Sequence, residues 1–329
     1  MSKRLTAVLL AAACLLTGCE GRSVNTKLVV SSMAVACDAV PMRAVLETVH
    51  EEQNETVTVQ GNDLEEIFSA AERVSGKPLY LGALQSVVFS GIAGGSALRK
   101  QLFALLADGR IAPNTQIALC DDALSLYGDA VSGDTVTALL TRQFTDSRSC
   151  GLKELINLLD GEGRDGFLLW IEAVETGLQE AGVVPTGSAD YTAPLRQSDL
   201  CRLLLCRTDE ARLTLSAGDA EVSVLINRLA VSGVRFSRGE TQVMLSAEAA
   251  VQSVSGTAPT RKALEAALKA RLRQEMAQLE KTVMVDRRSD ILGLAARAAL
   301  SGASPDADIL SQVIYLPRLV LRDPRGLLR

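Results

Sequence analysis

The sequence predicts an α+β protein in which mixed and antiparallel sheets pack against helices, in more than one domain, with a long helix near the C-terminus. Three observations predict it. Strand and helix patterns follow one another in the first half, strands of the second half come in consecutive hairpin-like runs, and an amphipathic helix from Thr260 to about Val285 needs a sheet to lie on.

The chain opens with a basic start, Lys3 and Arg4, and an uncharged apolar stretch from Leu5 to Leu16. This is the layout of a secretory signal peptide, and it is too short to remain as a membrane span. Leu16-Thr17-Gly18-Cys19 matches the bacterial lipobox of large apolar, small, small and cysteine. The expectation is removal of residues 1–18 and lipid attachment to the Cys19 thiol, with the mature chain held at the outer face of a membrane.

Leu28 to Val35 reads as a strand and Thr56-Val57-Thr58-Val59 as another. Leu64, Ile67, Phe68 and Ala71 stand at helical spacing, with Asn62 and Glu65 as the expected capping pair. Ser86 to Ser90 reads as a buried strand, Leu98, Leu102, Leu105 and Leu106 as one face of a helix, and Asn114 to Cys120 as a further strand. Helical spacing returns with Val136, Leu139, Leu140 and Phe144 and with Leu152, Leu155, Ile156 and Leu159, and the apolar stretch from Phe167 to Leu178 is expected to be a third such helix.

A loop from Pro185 to Pro194 marks the change from helix-rich to strand-rich sequence. The expected units are an N-terminal α+β domain over residues 19–188 and a C-terminal α+β domain over 189–329. In the latter, Ala211 to Ser216, Glu221 to Asn227, Leu229 to Phe236 and the alternating stretch from Val243 to Val251 read as strands, with a turn at Gly239-Glu240. Leu264, Leu268, Leu272, Met276, Leu279 and Val283 form the apolar face of the long helix. A shorter helix is expected near Ser289 or Asp290, and Val313 to Leu321 closes the chain as a strand in which Pro317 suggests an edge position or a break.

The formal net charge is −5, and loss of Lys3 and Arg4 with the leader makes the mature chain more acidic still. Without a basic block, nucleic acid is not an expected partner. Apart from Cys14 and Cys19, the cysteines are Cys37, Cys120, Cys150, Cys201 and Cys206, an odd set without CxxC spacing, expected to serve mainly as small buried apolar residues. Cys201 and Cys206 are the first pair to test for a bridge.

No catalytic constellation, cofactor motif or metal site is expected. His50, the single histidine, lies in a polar segment read as a solvated loop, with no GxSxG or HExxH pattern elsewhere. Residues 161–166 spell GxGxxG but follow a helical pattern, and Glu162 and Asp165 would repel a pyrophosphate. The acid pairs Glu51/Glu52 and Glu65/Glu66 diverge from one another as neighbours on a strand or helix must. Trp170 sits in an apolar run dense enough for core. Asp290 is expected to cap the short helix, and Gly293 to permit close packing of that helix on its neighbour.

Several stretches together resemble the Ger(x)C spore germination lipoproteins, the C-type subunits of nutrient germinant receptors. Thr56 to Val59 leading through Gly61 into the helix at Leu64, then Gly76-Lys77-Pro78-Leu79-Tyr80-Leu81-Gly82 into Ser86 to Gly91, is similar to the family's strand, helix and strand succession. Asp108-Gly109-Arg110-Ile111-Ala112-Pro113-Asn114-Thr115 resembles the stretch before its next strand. The long helix from Arg261, with Leu264, Leu268, Glu275 and Lys281, runs into Asp290-Ile291-Leu292-Gly293-Leu294, which resembles the terminal D-I-F-G-F-G signature. The chain departs from the family pattern in Glu20-Gly21 after the lipidated cysteine, in Leu292 and Ala295 within the signature, and in a shortened strand-turn-strand element between Tyr191 and Leu200.

The resemblance implies a non-enzymatic subunit on the outer surface of the spore's inner membrane, assembled with integral-membrane A-type and B-type subunits, with Asp290 and Gly293 as structural signature residues. The rival expectation is a lipoprotein solute-binding subunit of an uptake transporter, which would need a ligand cleft between βαβ lobes. An exported hydrolase would need a nucleophile and base that the sequence does not supply.

Overall fold

The computed structural model describes residues 26–50, 53–127, 131–142, 151–160, 165–175, 177–188, 191, 194–195, 199–205, 210–285, 289–304, 308–310 and 312–329. The leader, Cys19, Phe144, Cys150, Cys206 and residues 161–164 of the GxGxxG stretch lie outside them. The first half contributes β1 (Leu28–Ala36), β2 (Met42–His50), β3 (Gln53–Gly61), α1 (Leu64–Ser75), β4 (Leu79–Tyr80), β5 (Ser86–Ser90), α2 (Gly95–Ala107), β6 (Gln116–Leu119), α3 (Ala123–Leu126), α4 (Gly133–Arg142), α5 (Leu152–Asp160), β7 (Phe167–Val174) and β8 (Gly177–Pro185).

These strands form one mixed sheet in the order β3-β2-β1-β5-β6-β7-β8, with β4 also beside β1. The central strands β1, β5, β6 and β7 run parallel, and antiparallel pairs close both flanks. The strand partners place Ser32 and Glu47 on one face and Met33, Leu46 and Met42 on the other. Gly133, at the start of α4, donates its backbone N–H to Glu47, whereas Gln101 of α2 touches Met42 from the opposite side. The sheet is thus sandwiched between helices, α3 and α4 on one face and, on the other, α2 packed against both α1 and α5. Burial on both faces explains why its central strands read as unbroken apolar runs.

That same double burial corrects one expectation. Phe167–Val174 is strand β7, not helix, and Gly177–Pro185 returns beside it as β8. A continuous run such as FLLWI has neither a period of 3.6 nor a period of 2, so periodicity cannot tell a doubly buried strand from a buried helix. Trp170 is core, at 5% exposure. Strand β2 was not anticipated either, and the backbone of His50 ends β2 opposite Gln53 where a loop was expected. Two local signals are displaced by one residue. Asp63, not Asn62, caps α1 by accepting from the Glu66 N–H at 2.9 Å, while Glu66 accepts from the Asn62 N–H at 2.8 Å. Leu106, expected on the inner face of α2, is 39% exposed.

The second half contributes α6 (Asp199–Leu204), β9 (Ala211–Ala217), β10 (Ala220–Ser237), β11 (Glu240–Ser255), α7 (Arg261–Leu279) continued by a π-helical segment (Glu280–Val285), α8 (Leu294–Leu300) and β12 (Val313–Arg322). Its sheet has the order β12-β11-β10-β9, antiparallel except for β12, which lies parallel to β11 at the edge with Pro317 opposite Leu245. The two short strands expected between Glu221 and Phe236 are one strand, bent where its register shifts between Ile226 and Arg228 and between Val231 and Gly233. The turn between β10 and β11 is Arg238-Gly239, both at positive φ (54° and 82°), one residue before the expected position. Val243, Leu245, Ala247, Ala249 and Val251 are buried on one face of β11, and Leu264, Leu268, Leu272, Met276 and Leu279 form the buried stripe of α7 that lies against this sheet.

Candidate functional site

The expected signature residues lead to the joint between the two sheets. Asp165-Gly166 enters β7, Thr186 to Ser188 leaves β8, and Ser289 to Gly293 precedes α8. One carboxylate oxygen of Asp165 accepts from the Ser289 hydroxyl at 2.9 Å and from the Asp290 backbone N–H at 2.8 Å. The Asp165 N–H in turn donates to the Asp290 carbonyl at 3.1 Å. Gly187 lies under this carboxylate, and a Cβ there would stand 2.5 Å from Asp165 Oδ1. Glycine is required by close approach at that point.

The loop is braced from behind. Gly166 N–H donates to Thr186 Oγ1 at 2.9 Å, Thr186 N–H to the Gly166 carbonyl at 2.9 Å, and the buried Tyr191 hydroxyl to the Thr186 carbonyl at 2.6 Å. Burial, helped by the negative charge of Asp165, pushes the Tyr191 phenol well above its ordinary range, so it remains a donor.

Asp290 uses both carboxylate oxygens on the start of α8, accepting from Leu294 N–H and Ala295 N–H at 2.8 Å each. Gly293 adopts a left-handed conformation at φ 64° and ψ 38°, which turns the chain so that those N–H groups meet the carboxylate. Desolvation raises the Asp290 pKa above the usual carboxylate range, the two N–H bonds pull it back, and the neighbouring Asp165 charge raises it further. Tyr315 of β12 and Glu280 of the π-helical segment are close by, each also raised by burial first. At this joint the hydrogen bonds of Asp165 and Asp290 tie the entrance of β7 to the start of α8, an arrangement that holds position.

A second polar cluster sits inside the first sheet and was not legible in the sequence. Glu47, 4% exposed, accepts from Ser31 Oγ at 3.2 Å, Ser32 Oγ at 2.9 Å and Gly133 N–H at 2.7 Å. Tyr127 is buried beside it, its phenol pushed up to about 12 by desolvation. A Cβ on Gly133 would lie 1.9 Å from Ser32 Oγ and 2.2 Å from Glu47 Oε2. The local cue is a glutamate that directly follows the apolar run Ala44 to Leu46 in MRAVLETVH. Its partners stand 15 and 86 positions away, beyond any local spacing rule.

Cys37 and Cys120 are thiols whose pKa values burial pushes up to about 11 and about 12. Cys201 is buried; its proposed partner Cys206 lies outside the described residues. Among the described residues, no helix is long and apolar enough to cross a membrane.

Two sheets, one mixed and one mainly antiparallel, joined through this hydrogen-bonded knot and carrying a long helix before a short capped one, define an α+β architecture. No family model and no curated protein matches the sequence. The fold is similar to a crystal structure of the GerBC protein, with a TM-score of 0.57 and 8% sequence identity over 89% of this chain and 96% of that one. At that identity the likeness concerns the fold.

Proposed function

We propose that this chain is a lipid-anchored, non-enzymatic subunit of a spore nutrient germinant receptor, held through Cys19 on the outer face of the spore's inner membrane and assembled with integral-membrane A-type and B-type subunits. The observation that carries this reading is the fold likeness to GerBC across 89% of the chain, in a sequence whose motif order points independently to the same family. The anchor would confine the subunit to two dimensions and raise its effective concentration beside its partners.

In this reading residues 19–188 and 189–329 are separate domains, and Asp290 and Gly293 set how the second sits against the first. The subunit acts by binding, favouring one state of the receptor over another through contacts that differ between the two.

The test is crosslinking and affinity purification of a C-terminally tagged copy from dormant-spore membranes, with Cys19→Ala as control. Recovery of A-type and B-type subunits, reduced in the control, is the expected result. Recovery of a transporter permease and its ATPase would instead establish the solute-binding rival. Normal germination and abundance with Cys19→Ala would remove the anchor from the account.

A further inference from the structure

The tether constrains which end of the fold meets the bilayer. Cys19 stands nine positions before Leu28. A stretch of that length spans at most about 30 Å, and a flexible one averages about 15–18 Å. The start of β1 therefore stays close to the lipid surface whatever path the tether takes.

The residues around that point are defined by hydrogen bonding. Leu28 N–H donates to the Pro78 carbonyl at 2.9 Å, and Leu28 and Val29 pair with Leu79 and Tyr80 of β4. The last turn of α1 and the segment Gly76-Lys77-Pro78 thus flank the departing chain. Val74 is 69% exposed and Tyr80 38% exposed, and Lys27 Nζ lies 5.4 Å from the centre of the Tyr80 ring. Arg73 is exposed and Lys77 half-buried.

The carboxylate of this corner, Glu72, is engaged by the Leu79 N–H at 3.1 Å and by Arg110 at 3.4 Å. Asp108 shares Arg110 with Glu72, at 2.7 Å, and Asp63, Glu65 and Glu66 lie at the opposite end of α1. With Glu72 and Asp108 both engaged by Arg110, the groups left at the end of α1 and the start of β4 are Lys27, Arg73, Val74, Lys77 and Tyr80. An exposed arginine and two half-buried lysines with an amphipathic tyrosine and an apolar side chain suit the headgroup layer of an anionic membrane.

We infer that the corner formed by Lys27, Arg73, Val74, Lys77 and Tyr80 is a lipid-contact surface, resting in the headgroup layer of an anionic bilayer and setting the tilt of the whole subunit. This rests on the lipid-anchor reading of Cys19. The second anchoring signal complements the acyl chains, and it orients the fold where lipid alone would only hold it near.

The experiment uses the lipidated mature protein in vesicles of phosphatidylcholine and phosphatidylglycerol with brominated acyl chains. Tyr80→Trp and Val74→Trp each place a reporter at the corner, and Val320→Trp, on β12 of the other sheet, is the control. Native Trp170 is buried and adds a constant background. Strong quenching at positions 80 and 74 but not at 320 is expected. In the unlipidated chain made without its leader, from residue 20 onward, Arg73→Gln and Lys77→Gln should each weaken binding to the anionic vesicles about fivefold. Equal quenching at all three positions, or none at 74 and 80 in a protein whose Cys19 carries lipid by mass spectrometry, overturns the inference alone. A mature Cys19 without lipid overturns the anchor reading and the inference with it.

Discussion

Asp165 and Asp290, 125 positions apart, are bonded in both directions: the Asp290 N–H donates to the Asp165 carboxylate at 2.8 Å and the Asp165 N–H to the Asp290 carbonyl at 3.1 Å. One side chain thereby satisfies the backbone at the entrance to α8 and ties it to the entrance of β7. Asp165→Ala removes a charged acceptor from the Ser289 hydroxyl and the Asp290 N–H, and is expected to lower unfolding free energy by about 2 kcal/mol in urea titration. Asp165→Asn, which keeps an acceptor of the same shape, should lose less. Equal losses for the two would mean that charge rather than geometry holds the joint.

Gly187→Ala tests the same joint from below. Its Cβ would stand 2.5 Å from Asp165 Oδ1, so the carboxylate must shift away from Ser289 and Asp290. The expected loss is about 1–3 kcal/mol. Combined with Asp165→Ala it should be clearly less than additive, because the clash disappears with the carboxylate.

The polar cluster of the first sheet makes a sharper steric demand. Gly133→Ala would drive a methyl group into Ser32 Oγ and Glu47 Oε2, both buried and held by other bonds. A loss of about 1–3 kcal/mol is expected, with reduced amide-exchange protection concentrated in α4. Unchanged thermal stability would show that α4 can lift from the sheet freely.

Much of this architecture was legible, and the parts that were not share a cause. The stripe from Leu264 to Leu279 and the alternation from Val243 to Val251 announce α7 and β11, because one face of each meets solvent and preserves the period. Strand β7 was misread because neither face is exposed. Asp290 could be singled out from a local pattern, whereas Asp165, Glu47 and Gly133 acquire their roles only through partners brought in by the sheet topology. Gly187 looks like a loop glycine in sequence, and its requirement comes from a carboxylate 22 positions earlier.

The acidic limb of the stability profile should show two opposite signs. The Asp290 pKa is raised in the folded protein, chiefly by desolvation, so its titration favours the native state at acid pH and that advantage is lost as pH rises through the folded value. Asp108 is the reverse. Its side-chain bonds to Arg110, at 2.7 and 2.9 Å, hold its pKa below the ordinary 3.8, so its contribution is present above that value and is lost as pH falls through the folded one. Measured from neutral pH down to the acid transition, the stability of wild type relative to Asp290→Asn should rise, and relative to Asp108→Asn should fall. Removing the Asp165 charge with Asp165→Asn should flatten the Asp290 curve, because that charge contributes to raising Asp290. If both curves run in the same direction, burial does not dominate at Asp290, and its two N–H bonds outweigh the desolvation of the joint.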